Sequence, residues 1–459
     1  MKIKSGFVLL AIVVILLMIA CETNNSESSD DSANDTDDDV NDDDSIDDDT
    51  ADDDANDDDT DDDTDDDTDD DTDDDDADDD LSVDDDDDTF VGAWWIDKVD
   101  DVQDSIDEFT RTSLQLDSAE NPHIVYFYMG FHLSLMSATY NNGQWDLQQL
   151  FPEDEFYGFV SLGLDENDKA HFSIYQEIEV PLKHSERILS YATDEAGDWV
   201  LDTVDPGSEF IWGVGQFNSL ALDSNEKVHI SYRSGTGDAL EYPVLQYATN
   251  ISGDWMPTII DYCPQTEGCA GSFTSLAIDN LDHVHITHGG CDEEENCLRY
   301  VTNSGVWQKE CVPNSQDNVC QSSIAVSQTG IVNIAYNQYY EKIKTEQIYS
   351  LHFALKSGDE WTTEEIDSNI SAMCRELSDH YLALDGDGHA HIAYTGLDDA
   401  DNPVLKYATN ASGEWVTEIV DPSRYSGIGA SIALDGEGYV HISYYDHNQR
   451  SLRYATNRP

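Results

Sequence analysis

Beyond residue 89 the chain alternates apolar and polar residues in short runs. In the clearest stretch, Val440, Ile442 and Tyr444 fall on one side while His441 and Ser443 fall on the other. This period of two predicts β-strands, and no stretch carries a convincing helical period. Four runs form a unit: one of the SLALD type, one of the HISY type, one reading LxYATN, and one that starts with Trp and ends near an IxD pair. Gly, Asn and Asp mark the turns between them. The unit recurs from Ser113, Ser161, Ser219, Ser275, Ser323, Tyr381 and Ser431, at spacings of 48, 58, 56, 48, 58 and 50 residues. Four antiparallel strands repeated at this length predict propeller blades; a parallel β-helix has a much shorter repeat. The last copy stops after its third run, at Tyr454-Ala455-Thr456-Asn457, and the missing fourth run lies at the start, in GAWWIDKVD (92–100), which aligns with GEWVTEIVD (413–421). The expected fold is therefore all-β: a seven-bladed propeller over 89–459, with an N-terminal strand that completes the last blade and leaves no unpaired edge between the ends.

The residues that recur in every copy predict packing. Trp145, Trp199, Trp255, Trp307, Trp361 and Trp415 open the fourth run, and Trp94 fills that place in the split blade. One large aromatic per repeat is read as blade-to-blade contact. His123, His171, His229, His285, His391 and His441 recur in the second run, with Asn333 in the remaining copy. Asp117, Asp165, Asp223, Asp279, Asp385 and Asp435 stand six residues earlier, and Ser327 replaces the Asp where Asn333 replaces the His. The two positions change together, which predicts an internal Asp–His hydrogen bond; no metal site is expected.

Ahead of the repeats lie two segments of different character. Lys2 and Lys4 precede an apolar run from Phe7 to Ala20, 14 residues long. A bilayer span needs about 20 such residues, so this run reads as an export signal over 1–20. LLMIAC, ending in Cys21, resembles the bacterial lipobox, which implies cleavage before Cys21 and lipid attachment to its thiol. Acyl chains contribute about 0.8 kcal/mol per buried CH₂, so several of them hold a protein on a membrane. Residues 22–88 contain 39 Asp and 2 Glu with no Lys or Arg. Almost nothing apolar offsets chain entropy there, so with Cys21 the segment (21–88) is expected to be a disordered acidic tether. It has neither the turn glycine nor the spaced bidentate Glu of a calcium loop, so weak, diffuse calcium condensation is the only cation binding expected, with no cofactor.

The whole chain carries a net charge of -80, and residues 89–459 alone hold 59 acids against 18 bases. Such a field repels nucleic acid and leaves cations, basic proteins and neutral sugars as partners.

The SLALD–HISY hairpins, the YATN runs and the recurrent Trp resemble bacterial sialidase-like and lectin-like β-propellers, over residues 92–459. No copy carries the sialidase Asp-box S-x-D-x-G-x-T-W, nor is there an Arg-Ile-Pro segment. The resemblance thus implies the fold without sialidase chemistry, and no catalytic residue is assigned. Loops joining runs two to three, and run four to the next blade, are long and variable. They share one face, where binding is expected. Phe210, Trp212, Tyr339 and Tyr340 are the candidate ligand-binding aromatics there. Seven cysteines beyond Cys21 fall in or beside these loops. Export permits disulfides, and Cys263–Cys269, Cys291–Cys297 and Cys311–Cys320 are local pairings the spacing admits, leaving Cys374 over, with connectivity open. The resulting expectation is a monomeric, lipid-anchored, extracytoplasmic binding protein of the bacterial outer membrane or surface, recognising a carbohydrate or an envelope or extracellular protein. A propeller-type glycoside hydrolase or lyase and a structural envelope component are the alternatives.

Overall fold

The structure is a computed structural model. It describes residues 89–459 apart from 92, 103–110, 130–132, 153–155, 179–185, 208–212, 236–242, 264–269, 292–295, 317–318, 344–345 and 372–380. The signal, Cys21 and the acidic segment lie outside the described residues.

The repeats fold as seven antiparallel four-stranded blades, in chain order within each blade. The first strands of consecutive blades, Thr112–Leu116, Phe156–Leu164, Gln216–Leu222, Ser272–Ile278, Val319–Val326, Leu382–Leu384 and Ile428–Leu434, each touch the next, and the last touches the first. This unbroken circle is the inner ring of a seven-bladed propeller. The closing blade is completed as the sequence predicts. Strand Trp94–Asp101 pairs with Ser451–Thr456, with Trp95 opposite Thr456 and Asp97 opposite Tyr454. A short further strand, Thr89–Val91, pairs outside it.

Burial explains the residue pattern. Blades stack face to face, so their inner strands are covered on both sides: every residue of Val440–Asp446 and of Ser451–Thr456 is buried. The fourth strands form the rim, and Val416–Asp421 is exposed over its first four residues. The serine that marks each repeat ties one blade to the next. The Ser431 hydroxyl accepts the Leu114 amide at 3.1 Å, and Ser113 accepts Leu162 at 2.9 Å. Ser161, Ser219, Ser275 and Ser323 then accept Leu220, Leu276, Ile324 and Leu382. Each bond pairs an amide that the blade's own ladder leaves over. Where Tyr381 replaces Ser, its hydroxyl reaches back to the Ala335 carbonyl at 2.9 Å.

The tryptophans pack as the sequence predicts, each on the preceding blade. Trp255 meets Tyr191 and Trp307 meets Tyr247, both with ring centroids 5.1 Å apart; Trp361 meets Tyr300 at 5.6 Å, Trp145 meets Tyr454 at 5.3 Å and Trp94 meets Tyr407 at 5.4 Å. Trp415 meets Phe353 at 5.0 Å. Blade 1 has Ser137 at this position, and Trp199 packs on Phe151 and Phe172 instead. The indole N–H of Trp145 donates to Asp97, that of Trp94 to Glu418 and that of Trp415 to Glu364.

Candidate functional site

The recurrent histidines are scaffold. In blade 3, His229 Nε2 lies 3.4 Å from Asp223 and its Nδ1 lies 2.5 Å from the Tyr247 hydroxyl. Blades 2, 4, 6 and 7 repeat the arrangement with Asp165–His171–Tyr191, Asp279–His285–Tyr300, Asp385–His391–Tyr407 and Asp435–His441–Tyr454. A carboxylate only accepts, so Nε2 carries the proton and Nδ1 accepts from the tyrosine. Burial pushes the His229 imidazole down, against the pull of Asp223, and pushes the Tyr247 phenol up to about 12, which fixes these proton positions. The other Asp223 oxygen accepts the amides of Asn225 and Lys227 and so holds the turn between the first two strands. In blade 5 all three members change at once, to Ser327, Asn333 and Phe353. Blade 1 keeps the Asp117–His123 pair, at 3.3 Å, with Ser137 in place of the tyrosine; where the tyrosine is present it is the platform for the next blade's tryptophan.

A second seam lies toward the long-loop face. Tyr232, Tyr394 and Tyr444 donate to Asp205, Asp367 and Asp421 of the preceding blade. In blade 4, His288 stands at the tyrosine position, and Asp261 receives His288 at 3.4 Å, Arg299 at 3.0 Å and Lys309 at 2.5 Å. Burial opposes ionisation of Asp261, yet these three neighbours hold its carboxyl well below the usual range. Beside Asp421, the Asp446 side chain is sealed from solvent; its Oδ2 accepts no hydrogen bond, and Arg453 Nε stands 3.8 Å away. Burial raises the Asp446 pKa. Among the described residues no group of three or more His, Cys, Asp or Glu is placed to hold a metal ion.

The sequence-predicted aromatics distribute unevenly. Phe210 and Trp212 lie outside the described residues, as does the Tyr340 side chain. Tyr339 is 2% exposed and packs on Tyr349 at 5.5 Å, so its ring belongs to the core and forms no ledge. Cys269 and Cys374 also lie outside, as do the side chains of Cys291 and Cys320. Cys263 is disulfide-bonded. Cys297 bonds to Cys311, not to Cys291, and this removes both the Cys291–Cys297 and the Cys311–Cys320 pairings. Cys297 lies opposite Gly290, one position out of step with Cys291, while the pairing of the third and fourth strands is irregular between Cys297 and Arg299 and leaves Cys311 5.8 Å from Cys297, Cα to Cα.

A cavity of about 460 Å³ opens on the other face, between blades 7 and 1. Trp95, Tyr140 and Tyr454 form its aromatic walls; Glu120, Asn121 and Arg458 supply polar groups. The Trp95 ring lies 6.4 Å from Tyr140 and 6.1 Å from Tyr454, at steep angles to both. Glu120 takes the Gly436 amide at 3.1 Å on one oxygen and Arg458 at 2.8 Å on the other, and so bridges the two blades.

Three of these residues break the repeat. Where Trp95 stands, other blades have Asp146, Val200, Met256, Gln308, Thr362 and Val416. Tyr140 occupies the position of the last YATN residue, where Asn250, Asn303, Asn410, Asn457 and Asp194 each accept the first amide of the second strand. In blade 1 that second-strand residue is Pro122, which has no N–H to be capped. Position 140 is thereby released from its turn duty and can hold a ring. The sequence reasoning missed this site because it searched the long loops. The signal was present in Trp95, in Tyr140 for Asn, and in Pro122.

No protein-family model and no curated protein matches the chain. Solved structures do resemble it. An α-L-arabinanase of Penicillium chrysogenum complexed with arabinobiose is 9% identical, with a TM-score of 0.47, covering 78% of this chain and 96% of that one. The polysaccharide lyase Uly1 is 10% identical at a TM-score of 0.47, covering 75% of this chain and 89% of its own. A Hadza microbial sialidase is 9% identical at a TM-score of 0.43, covering 76% and 65%. Likeness at this level says nothing of activity, and the chain is assigned to the seven-bladed β-propellers by its own strand topology.

Proposed function

We propose that the protein is a lipid-anchored, extracytoplasmic binding protein. Cys21 carries the lipid, the aspartate segment spaces the propeller from the membrane, and the cavity between blades 7 and 1 holds a carbohydrate. The observation that supports this reading is the coincidence of Trp95, Tyr140 and Pro122, three departures from the repeat, in one cavity. Its volume lies in the range of small-ligand sites, which combine apolar walls with a few placed polar groups. Indole and phenol faces stack on sugar rings, and Glu120, Asn121 and Arg458 at the rim offer acceptors and donors for hydroxyls.

The test is a glycan array probed with the full chain in detergent, alongside Trp95→Ala. Binding to one glycan class that disappears with Trp95→Ala supports the reading. Binding that Trp95→Ala leaves intact moves the site to the long-loop face. Silence on the whole array overturns carbohydrate recognition and points to a protein partner.

A further inference from the structure

We infer that the ligand of this cavity is a sugar bearing a protonated amine, and that acidic sugars are excluded; this rests on the carbohydrate reading above. The cavity's cation is already neutralised. Arg458 reaches Glu120 at 2.8 Å, Asp435 at 3.5 Å and Glu437 at 3.9 Å. Three carboxylates around one guanidinium leave the site negative. His441, which also lines it, does not restore the balance, since burial lowers its pKa. The surrounding fold adds its own excess of acids, 59 against 18 bases over residues 89–459.

A carboxylated sugar entering here meets no free cation. To gain one it must pull Arg458 from Glu120, and it approaches against the field of the whole ring. An ammonium group meets the reverse. The faces of Trp95 and Tyr140 attract cations; Glu120 lines the cavity, and Glu437 stands beside it, 3.9 Å from Arg458. Glu437 is 67% exposed, so it can turn toward a ligand without disturbing the core. Three rings at steep angles, with carboxylates at the edge, are the chemistry that holds an ammonium on an apolar ring.

The test is calorimetric titration of the full chain in detergent with three oligosaccharide series of equal length: glucosamine, N-acetylglucosamine and glucuronate. The glucosamine series should bind about tenfold more tightly than its N-acetylated counterpart, the sum of a cation–π contact and a rim ion pair. The gap should narrow at 0.5 M salt. Glu437→Gln should halve the preference or better. Equal or tighter binding of the glucuronate series overturns the charge assignment and leaves the carbohydrate reading standing, as does a glucosamine series no tighter than its acetylated form. If none of the three binds, this assignment falls together with the reading it rests on.

Discussion

The seam between blades 2 and 3 and the seam between blades 7 and 1 are built from the same parts. In each, a tryptophan of the later blade lies on the tyrosine of the earlier one, Trp255 on Tyr191 and Trp145 on Tyr454, and that tyrosine is bonded to a buried histidine. In each, a serine hydroxyl ties the inner strands. The difference lies at the turn end. Across the first seam the counterpart residue, Val200, is 43% exposed on the rim, whereas at the second Trp95 folds against Tyr140 and Tyr454 and lines a cavity. The common parts carry stability. At the second seam Pro122 offers no amide for an asparagine to cap, and position 140 holds a ring instead.

The largest effect is expected where the second seam differs most, in being closed by the other end of the chain. Deleting residues 89–101 removes Trp94, Ile96 and Val99, all buried. At about 1.5–3 kcal/mol for each large apolar side chain, the loss rivals the 5–15 kcal/mol of a typical domain, so the cooperative calorimetric transition should disappear. A transition of unchanged midpoint would show that the ring does not depend on this strand.

Next come the two tryptophans of that seam. Trp145→Ala should cost about 3 kcal/mol in denaturant unfolding, as should the equivalent Trp255→Ala, because both fill the shared contact. Trp95→Ala should cost about 1 kcal/mol, because its ring borders a cavity and its loss falls on binding. Equal losses for Trp95 and Trp145 would erase the distinction between scaffold and site.

Tyr247→Phe should destabilise by about 1–2 kcal/mol, since His229 Nδ1 loses its donor while buried. Combined with His229→Asn and Asp223→Ser, the set found in blade 5, the loss should fall short of the sum of the singles. Strict additivity would mean that the three residues do not act as one unit.

The smallest effect is on pH dependence. Burial lowers the pKa of His229, His285, His391 and His441 in the fold, with the paired aspartates opposing it. The unfolded imidazoles, near 6.5, therefore bind protons first, so stability is full above that value and is lost as pH falls through the lowered folded values. Asp446 runs the other way. Its folded pKa is raised, so its ionisation weakens the fold at neutral pH and protonation on acidification relieves this. Asp446→Asn should raise the melting temperature by about 1–3 °C at pH 7 and by less at pH 4. A gain that persists at pH 4 would remove ionisation as its cause.

Most of the scaffold could be read from the chain, because each repeated residue has a repeated task. The alternation in HISY gave the strands, and the alignment of 92–100 with 413–421 gave the closing pair, Trp95 with Thr456. The Asp435–His441 bond was legible from the joint change at Ser327 and Asn333. Its tyrosine partner was not taken up, although Phe353 changes in the same blade and carried the same information. The disulfide resisted reading because spacing along the chain favours Cys291 for Cys297, while an irregularity in the pairing of the third and fourth strands brings Cys311 close. The cavity was overlooked for a different reason. Loop length directs attention to one face, but Trp95 and Tyr140 sit at strand ends beside short, regular turns and betray themselves only as exceptions to a rule that has to be known first.

The unbroken circle of inner strands makes the position of the chain ends interchangeable among blades. A circularly permuted chain, cut at the exposed turn Asn142-Gly143 and joined across the former ends, should rebuild the same ring. It would keep the Trp95 strand tied on both sides. Such a permutant would show whether the ring closes through the contacts of that strand alone or needs its native place in the chain order.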